Sequence, residues 1–309
     1  MKITSAIKGK VIVPSKFGGY DHCFNPYVGC QFACKYCYVR FFLKGDGEWG
    51  EWVRTRDHAK DRIATDLKKI GPTRLAIGTM TDPYQPIEAK RKITRTCLEI
   101  LQKCNLKKVG IFTRCPLVRR DIDIIKTLPN ARVHFTIPPL PTKFQRIIEP
   151  LYVPTEMRFR VVEELKKAGI RVHVSVAPAI PGYSETTIID EFCKRLSDIG
   201  VDEFFVDPMQ PYKEAIQEIT AHVQNSLFVT DEWDAARTMM TDKTDYATWK
   251  KRNLYIWQML WDKVRHKSPH TMPIMSDHES KQKIDLRTGK LLDWEKYDDY
   301  ELTNTNGTV

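Results

Sequence analysis

The sequence predicts an α/β protein: a partial (β/α)6 TIM-type barrel followed by a mainly helical, tryptophan-rich extension. Three observations carry this expectation. Between residues 24 and 210, short apolar segments alternate with longer segments of helical periodicity. Such alternation marks repeated βαβ units joined by right-handed crossovers. The strands number about six, fewer than a closed eight-stranded barrel requires. From about residue 225 the strand pattern stops and tryptophans accumulate.

In chain order, the first strand is expected at 24–29, directly before a run of cysteines. The second, 74–79, follows the Gly71-Pro72 breaker, and a helix at 90–104 places Ile93, Cys97, Ile100 and Leu101 on one face. The third strand is 108–113, with its helix at 118–128. The fourth is 132–137, after which a proline-rich turn leads to a helix near 155–168. That helix ends in Lys166-Lys167-Ala168-Gly169, cations in the last turn and then a terminating glycine. Strands at 170–177 and 201–206 flank a helix at 184–199 and complete the series. In the tail, Trp249, Leu254, Trp257, Leu260, Trp261 and Val264 fall on one helical stripe, expected to pack on the barrel. Residues 275–309 are polar and read as a wrapping extension or free terminus. Two domains are therefore expected: 1–224, the barrel with its lead-in, and 225–309, the extension.

Composition narrows the class. A chain of 309 residues with 42% hydrophobic and 28% charged residues is neither disordered nor fibrous. Its apolar runs are too short to span a bilayer, and Met1-Lys2-Ile3-Thr4-Ser5 is no export signal. The protein is expected to be cytoplasmic, without a membrane partner and with reduced thiols. Its eight cysteines are too sparse for a disulfide scaffold and need another explanation. The formal charge of +10 is uneven: residues 1–150 hold 28 basic and 13 acidic side chains, a net +15. Residues 151–309 hold 21 and 26, a net −5. A basic half suits a polyanion; it equally suits solvated helix faces, since Arg54, Arg56, Lys60, Arg62, Lys68 and Lys69 have that spacing.

The sharpest motif is Cys30-x3-Cys34-x2-Cys37. Three thiolates so close converge on a metal or a cluster. Zinc requires a fourth ligand, for which His22, Cys23 and His58 are available, although none has a zinc-ribbon offset. In a four-iron cluster, three cysteines leave one iron open to a substrate or cofactor. The run sits at the start of the βα series, where the mouth of a parallel sheet holds ligands.

With Tyr36 before its last cysteine, the run resembles the signature of the radical S-adenosylmethionine (SAM) superfamily. Further segments resemble its spore photoproduct lyase-like branch, which includes relatives described as DNA repair photolyases. They are Asn25-Pro26-Tyr27-x-Gly29-Cys30, Tyr36-Cys37-Tyr38, Gly78-Thr79-x-Thr81-Asp82-Pro83-Tyr84-Gln85-Pro86-x-Glu88, Pro116-Leu117-Val118-x-Arg120-Asp121 and Ala177-Pro178-x-Ile180-Pro181-Gly182. The resemblance implies a [4Fe–4S] cluster on Cys30, Cys34 and Cys37, with the open iron chelated by the amine and carboxylate of SAM. Reductive cleavage would release a 5′-deoxyadenosyl radical that abstracts hydrogen from a substrate. It implies an electron donor of ferredoxin or flavodoxin type.

Other roles follow from the same resemblance. Tyr36 is placed near the adenine, or else is a core aromatic. Thr79, Thr81 and Asp82 are placed at the SAM amine. Arg114 is placed as a carboxylate clamp, or is a solvated strand-end arginine. Thr136 is placed at the ribose, Ser175 inside the barrel and Ile180 beside the adenine. Spore photoproduct lyase has a cysteine hydrogen donor about where Thr79 stands here. The thiol expected nearest the chemistry is Cys115, as hydrogen donor or as packing. The substrate expected is a nucleic-acid base or nucleotide; the alternatives are a small metabolite or a peptide or protein side chain. A non-catalytic metal-binding interaction protein is the reading from another class.

Overall fold

The computed structural model describes residues 1–5, 9–180, 182–184, 188–209, 212–225 and 231–241, with strands at 273–277, 282–285 and 290–291. The strands are β1 (Lys2–Ser5), β2 (Ile12–Pro14), β3 (His22–Phe24), β4 (Tyr27–Val28), β5 (Trp52–Thr55), β6 (Thr73–Ile77), β7 (Leu106–Thr113), β8 (Arg132–Thr136), β9 (Arg171–Ala179), β10 (Glu203–Pro208), β11 (Pro273–Asp277), β12 (Gln282–Asp285) and β13 (Lys290–Leu291). The helices are α1 (Ala59–Ile70), α2 (Glu88–Arg91), α3 (Ile93–Leu101), α4 (Ile122–Ile125), α5 (Thr142–Ile148), α6 (Thr155–Lys167), α7 (Ile188–Ile199), α8 (Lys213–Asn225) and α9 (Asp231–Thr241).

Strands β3, β6, β7, β8, β9 and β10 lie side by side in sequence order, every neighbouring pair parallel. This is the partial-barrel arrangement, in which each helix returns the chain to the next strand. Strand β2 closes one edge antiparallel to β3. At the other edge β11 adds parallel to β10, and β12 and β13 follow antiparallel. The tail thus adds strands in a region whose pattern suggested none. The expected tryptophan stripe at 249–264 lies outside the described residues.

Alternation sorts the strand residues. Val109, Ile111, Val133, Phe135, Val172, Val174 and Val176 are buried in the main core against the helices. There Ile63 and Leu67 of α1, Leu98 and Leu101 of α3, and Phe159, Val162 and Leu165 of α6 meet them. Each such side chain contributes about 1.5–3 kcal/mol by leaving water. The opposite, inner face carries Gly110, Phe112, His134 and His173. Gly110 is required there, because a Cβ would stand 2.0 Å from the Tyr20 hydroxyl. That hydroxyl and His134 Nε2 share a hydrogen bond of 2.7 Å, and the His134 ring stacks on Phe112 at 4.1 Å. Burial holds the His134 imidazole well below its ordinary pKa, so it is neutral.

Two local expectations change. The first barrel strand is β3, ending at Phe24, because Pro26 cannot donate to a ladder; Tyr27 and Val28 instead pair with β5 in a three-stranded sheet, β1-β5-β4. Arg54 therefore lies on a strand, its guanidinium 5.2 Å from the Trp52 ring, whereas Lys60, Arg62, Lys68 and Lys69 do occupy the exposed face of α1.

Candidate functional site

The cysteine loop begins at the C-terminal mouth of the sheet, and the next βα unit holds it down. Gly29 turns the chain with φ +86°, a backbone that favours glycine, and a Cβ there would come within 2.6 Å of the Trp52 carbonyl. Gln85, fully buried, donates through Nε2 to the Gly29 carbonyl at 3.2 Å and accepts from the Gln31 amide at 2.9 Å. Gln31 accepts from the Ile87 amide at 2.6 Å in return. Asn25 accepts from the Met80 amide at 2.9 Å, and the Thr81 hydroxyl donates to the Tyr27 carbonyl at 3.1 Å. Beneath them the Tyr27 hydroxyl donates to the buried Glu88 carboxylate, which also accepts from Arg120 at 2.7 Å and the Thr94 amide at 3.0 Å.

Cys30, Cys34 and Cys37 are all free thiols on this anchored loop. Burial raises the pKa of each, that of Cys37 to about 12, and the neighbouring thiolates add to the effect at Cys30 and Cys37. Among the described residues no three His, Cys, Asp or Glu side chains gather around a single-ion centre.

A charged array lies against Cys34. Arg114, only 6% exposed, directs Nη1 to the Cys34 sulfur and, at 2.9 Å, to the Tyr36 hydroxyl. Its Nη2 pairs with the Glu149 carboxylate. Glu149, fully buried, also accepts from Tyr36 at 2.7 Å, Gln145 at 2.9 Å and Arg158 at 2.5 Å. Arg158 is fully buried too and donates to the carbonyls of Val153 at 3.1 Å and Thr136 at 3.3 Å. Burial alone would raise the Glu149 carboxyl, but Arg114 and Arg158 outweigh it and hold it below the usual range. Two guanidinium groups, Arg114 and Arg158, share the Glu149 carboxylate beside Cys34, with the Asp82 carboxyl on the Arg114 backbone, and the buried Arg114 Nε has no hydrogen-bond partner.

The remaining predicted positions sort as follows. Thr79 is half-buried, accepts from the Asn25 amide at 3.4 Å, and lines a cavity of about 610 Å³. Asp82 is buried and bridges strand ends, accepting from the Thr113 hydroxyl at 2.7 Å and the amides of Tyr84 at 2.8 Å and Arg114 at 2.9 Å. Burial raises its pKa. Thr136 and Ser175 are register partners on β8 and β9, both half-buried on the inner face. Ile180 is buried in a second core, against which Tyr36 packs. Cys115 is half-buried, packs on the main core and does not line the cavity; burial raises its thiol to about 12. The thiol that lines the cavity is Cys23, in hydrogen-bonding reach of Thr79.

Cys34, Tyr36 and Arg114 thus meet directly, with Asp82 bonded to the Arg114 backbone. Glu149 and Arg158 were not among the expected residues. Arg158 had a signal, since it holds a core position on the α6 stripe with Val161, Val162 and Leu165. The donor set fits an iron–sulfur cluster: three neighbouring free thiols, no disulfide, and a buried guanidinium that meets the Cys34 sulfur and keeps an unpartnered Nε.

The comparisons agree. The Radical SAM superfamily description matches residues 24–192. An uncharacterised protein of Methanocaldococcus jannaschii is 34% identical over 197 residues, covering 63% of this chain and 74% of its own. One of the Acidianus two-tailed virus is 31% identical, covering 58% of this chain and 64%, less than two thirds, of its own. A spore photoproduct lyase variant solved with AdoMet and dinucleoside spore photoproduct shares the fold at TM-score 0.62 and 16% identity, covering 87% of this chain and 80% of that one. Spore photoproduct lyase complexed with the dinucleoside gives 0.63, at 13% identity and the same coverage. With more than half its length matched, the chain belongs to the radical SAM superfamily.

Proposed function

We propose that this radical SAM enzyme uses a [4Fe–4S] cluster on Cys30, Cys34 and Cys37 to act on a nucleic-acid base or nucleotide. The observation that carries the cluster assignment is the anchored three-thiol loop with Arg114 against Cys34. When bound, the cluster supplies the electron that cleaves SAM to methionine and a 5′-deoxyadenosyl radical, which takes a hydrogen atom from substrate. The chain's own residues bind and orient. Gln85, Gln31 and Glu88 fix the ligand loop, and Arg114, held by Glu149, offers positive charge for thiolates and for the SAM carboxylate. Thr79 at the end of β6, with Thr136 and Ser175 on the inner face, presents hydroxyls for the amine and ribose. The electron comes from a ferredoxin- or flavodoxin-type donor.

The basic first half supports a polyanionic substrate, as do structures of the same fold solved with a dinucleoside. The test is anaerobic reconstitution, reduction with dithionite and incubation with SAM. Wild type forms 5′-deoxyadenosine, and Cys34→Ala does not; equal yields would refute the assignment. Retention on DNA and RNA at two salt concentrations tests the substrate class, because phosphate contacts weaken steeply with salt. Salt-insensitive or absent retention would count against it.

A further inference from the structure

The cavity of about 610 Å³ beside the cysteine loop has an unusual lining. Among the described residues eight large apolar side chains are exposed, and four of them, Val13, Phe17, Tyr38 and Phe42, line this one cavity. Apolar side chains left in water and gathered around a concavity mark a ligand surface. Three of the four are aromatic, and they offer ring faces or edges to a flat partner.

The lining is also charged with one sign. It contains Arg56 and Lys16 and no carboxylate. Arg56 is half-buried, yet among the described residues its guanidinium has no hydrogen bond and no ion pair, unlike Arg114, Arg120, Arg132 and Arg158. Burial lowers its pKa. A guanidinium partly stripped of water and given no anion by the protein costs stability, and a bound anion would recover it. The inner wall of the cavity is made by Asn25 and Thr79, at the ends of β3 and β6, and Tyr38 directly follows Cys37. A ligand here therefore reaches the strand ends that frame the cluster loop.

We propose that this cavity is the substrate site and that Arg56 is its anion-binding residue. The ligand is a nucleotide unit, with its base against Phe17, Tyr38 and Phe42 and its phosphate on Arg56, with Lys16 at the rim. This rests on the radical SAM reading above and specifies its substrate. Base stacking on aromatic side chains and a guanidinium–phosphate pair are the two interactions the lining provides, and a nucleotide satisfies both.

The experiment measures binding to the full-length, cluster-reconstituted protein under anaerobic conditions by calorimetry. Uridine and uridine 5′-monophosphate are compared, a pyrimidine being chosen so that the adenosyl site does not compete. The monophosphate is expected to bind at least about tenfold more tightly than the nucleoside, the worth of one charge-assisted hydrogen bond. Arg56→Met should remove that advantage and Arg56→Lys should retain part of it. Lys16→Met, an exposed change that the fold tolerates, should weaken the monophosphate alone by a smaller factor. Binding of a single-stranded dodecamer in place of the monophosphate, weakened by Arg56→Met, keeps the assignment and identifies a strand as the source of the phosphate. Equal affinity for nucleoside and monophosphate, or tighter binding of indole-3-carboxylate, overturns it. So does wild-type-like monophosphate binding in Arg56→Met and Lys16→Met. The same preparation is assayed for 5′-deoxyadenosine from SAM. Cleavage without nucleotide binding refutes this site alone, whereas absence of cleavage refutes the radical SAM reading.

Discussion

Replacing Glu149 by Gln removes one negative charge from the most buried ionic array near the cysteines while preserving shape. The carboxylate is fully buried and accepts from Tyr36, Gln145, Arg158 and Arg114. An amide keeps one acceptor oxygen and adds a donor that faces other donors. Arg114 and Arg158, themselves 6% and 0% exposed, then share a dry site without the carboxylate that both guanidinium groups contact. Removing one partner of a buried ion pair costs about 3–5 kcal/mol. We take the lower end, about 3 kcal/mol, because the side-chain volume is retained. At about 2–4 °C per kcal/mol this lowers the melting temperature by roughly 6–12 °C. Thermal melts by circular dichroism, on cluster-free and reconstituted protein, measure it. The pH dependence has a definite sign. A carboxyl whose pKa is depressed in the fold stabilises it above the unfolded value of about 4.3, and the contribution is lost as pH falls through the lower folded value. The gap between wild type and Glu149→Gln should therefore persist at pH 5. A variant melting within about 2 °C of wild type at pH 7.5, or a gap already closed at pH 5, would refute the reasoning.

Three further expectations concern the loop and the inner face. Gln85→Ala should unfasten the cysteine loop from the β6 turn, since both Gly29 and Gln31 lose their partner; iron per chain after reconstitution should fall severalfold while the melting temperature drops by only a few degrees. Gly29→Ala forces a side chain into a left-handed backbone and toward the Trp52 carbonyl; a loss of about 1–3 kcal/mol by denaturant titration is expected, and an unchanged midpoint would remove the steric argument. His134 is held neutral, so its folded pKa lies below the unfolded value of about 6.5. Its contribution is present above pH 6.5 and is lost as pH falls toward the folded value. Wild type should lose stability between pH 6.5 and 5 more steeply than His134→Gln, and parallel profiles would contradict this.

The barrel was legible because its strands are read by period. The 108–113, 132–137 and 170–177 segments alternate core and lumen residues, and the structure realises them as β7, β8 and β9 with boundaries shifted by one or two residues. The first strand was misplaced because Tyr27 and Val28 have strand chemistry but pair with β5, a partner far along the chain that periodicity cannot reveal. The cysteine run was legible as chemistry because its three thiols are neighbours in sequence. The array around it was not, because Glu149 and Arg158 approach from the fourth βα unit, and a lone Glu-Pro after a short helix has no spacing to mark it. Gln85 and Glu88 stand in the same motif as Thr79, Thr81 and Asp82, the expected SAM contacts, and had no role of their own in the sequence. In the structure both hold the loop rather than face an opening. Arg56, counted among solvated helix charges, follows a strand and lines the cavity.

The span of the Arg114–Glu149–Arg158 array has a consequence for the order of events during synthesis. The thiols at 30, 34 and 37 leave the ribosome more than a hundred residues before Arg158 does. Until then the loop has Gln85, Glu88 and Arg114 beside it but lacks Glu149 and Arg158, which complete the array that holds Arg114. On the proposed cluster assignment, the complete surroundings for iron and sulfide exist only after translation of the fourth βα unit. During the interval before it, the nascent chain carries the three cysteines without the Glu149 and Arg158 side of that array.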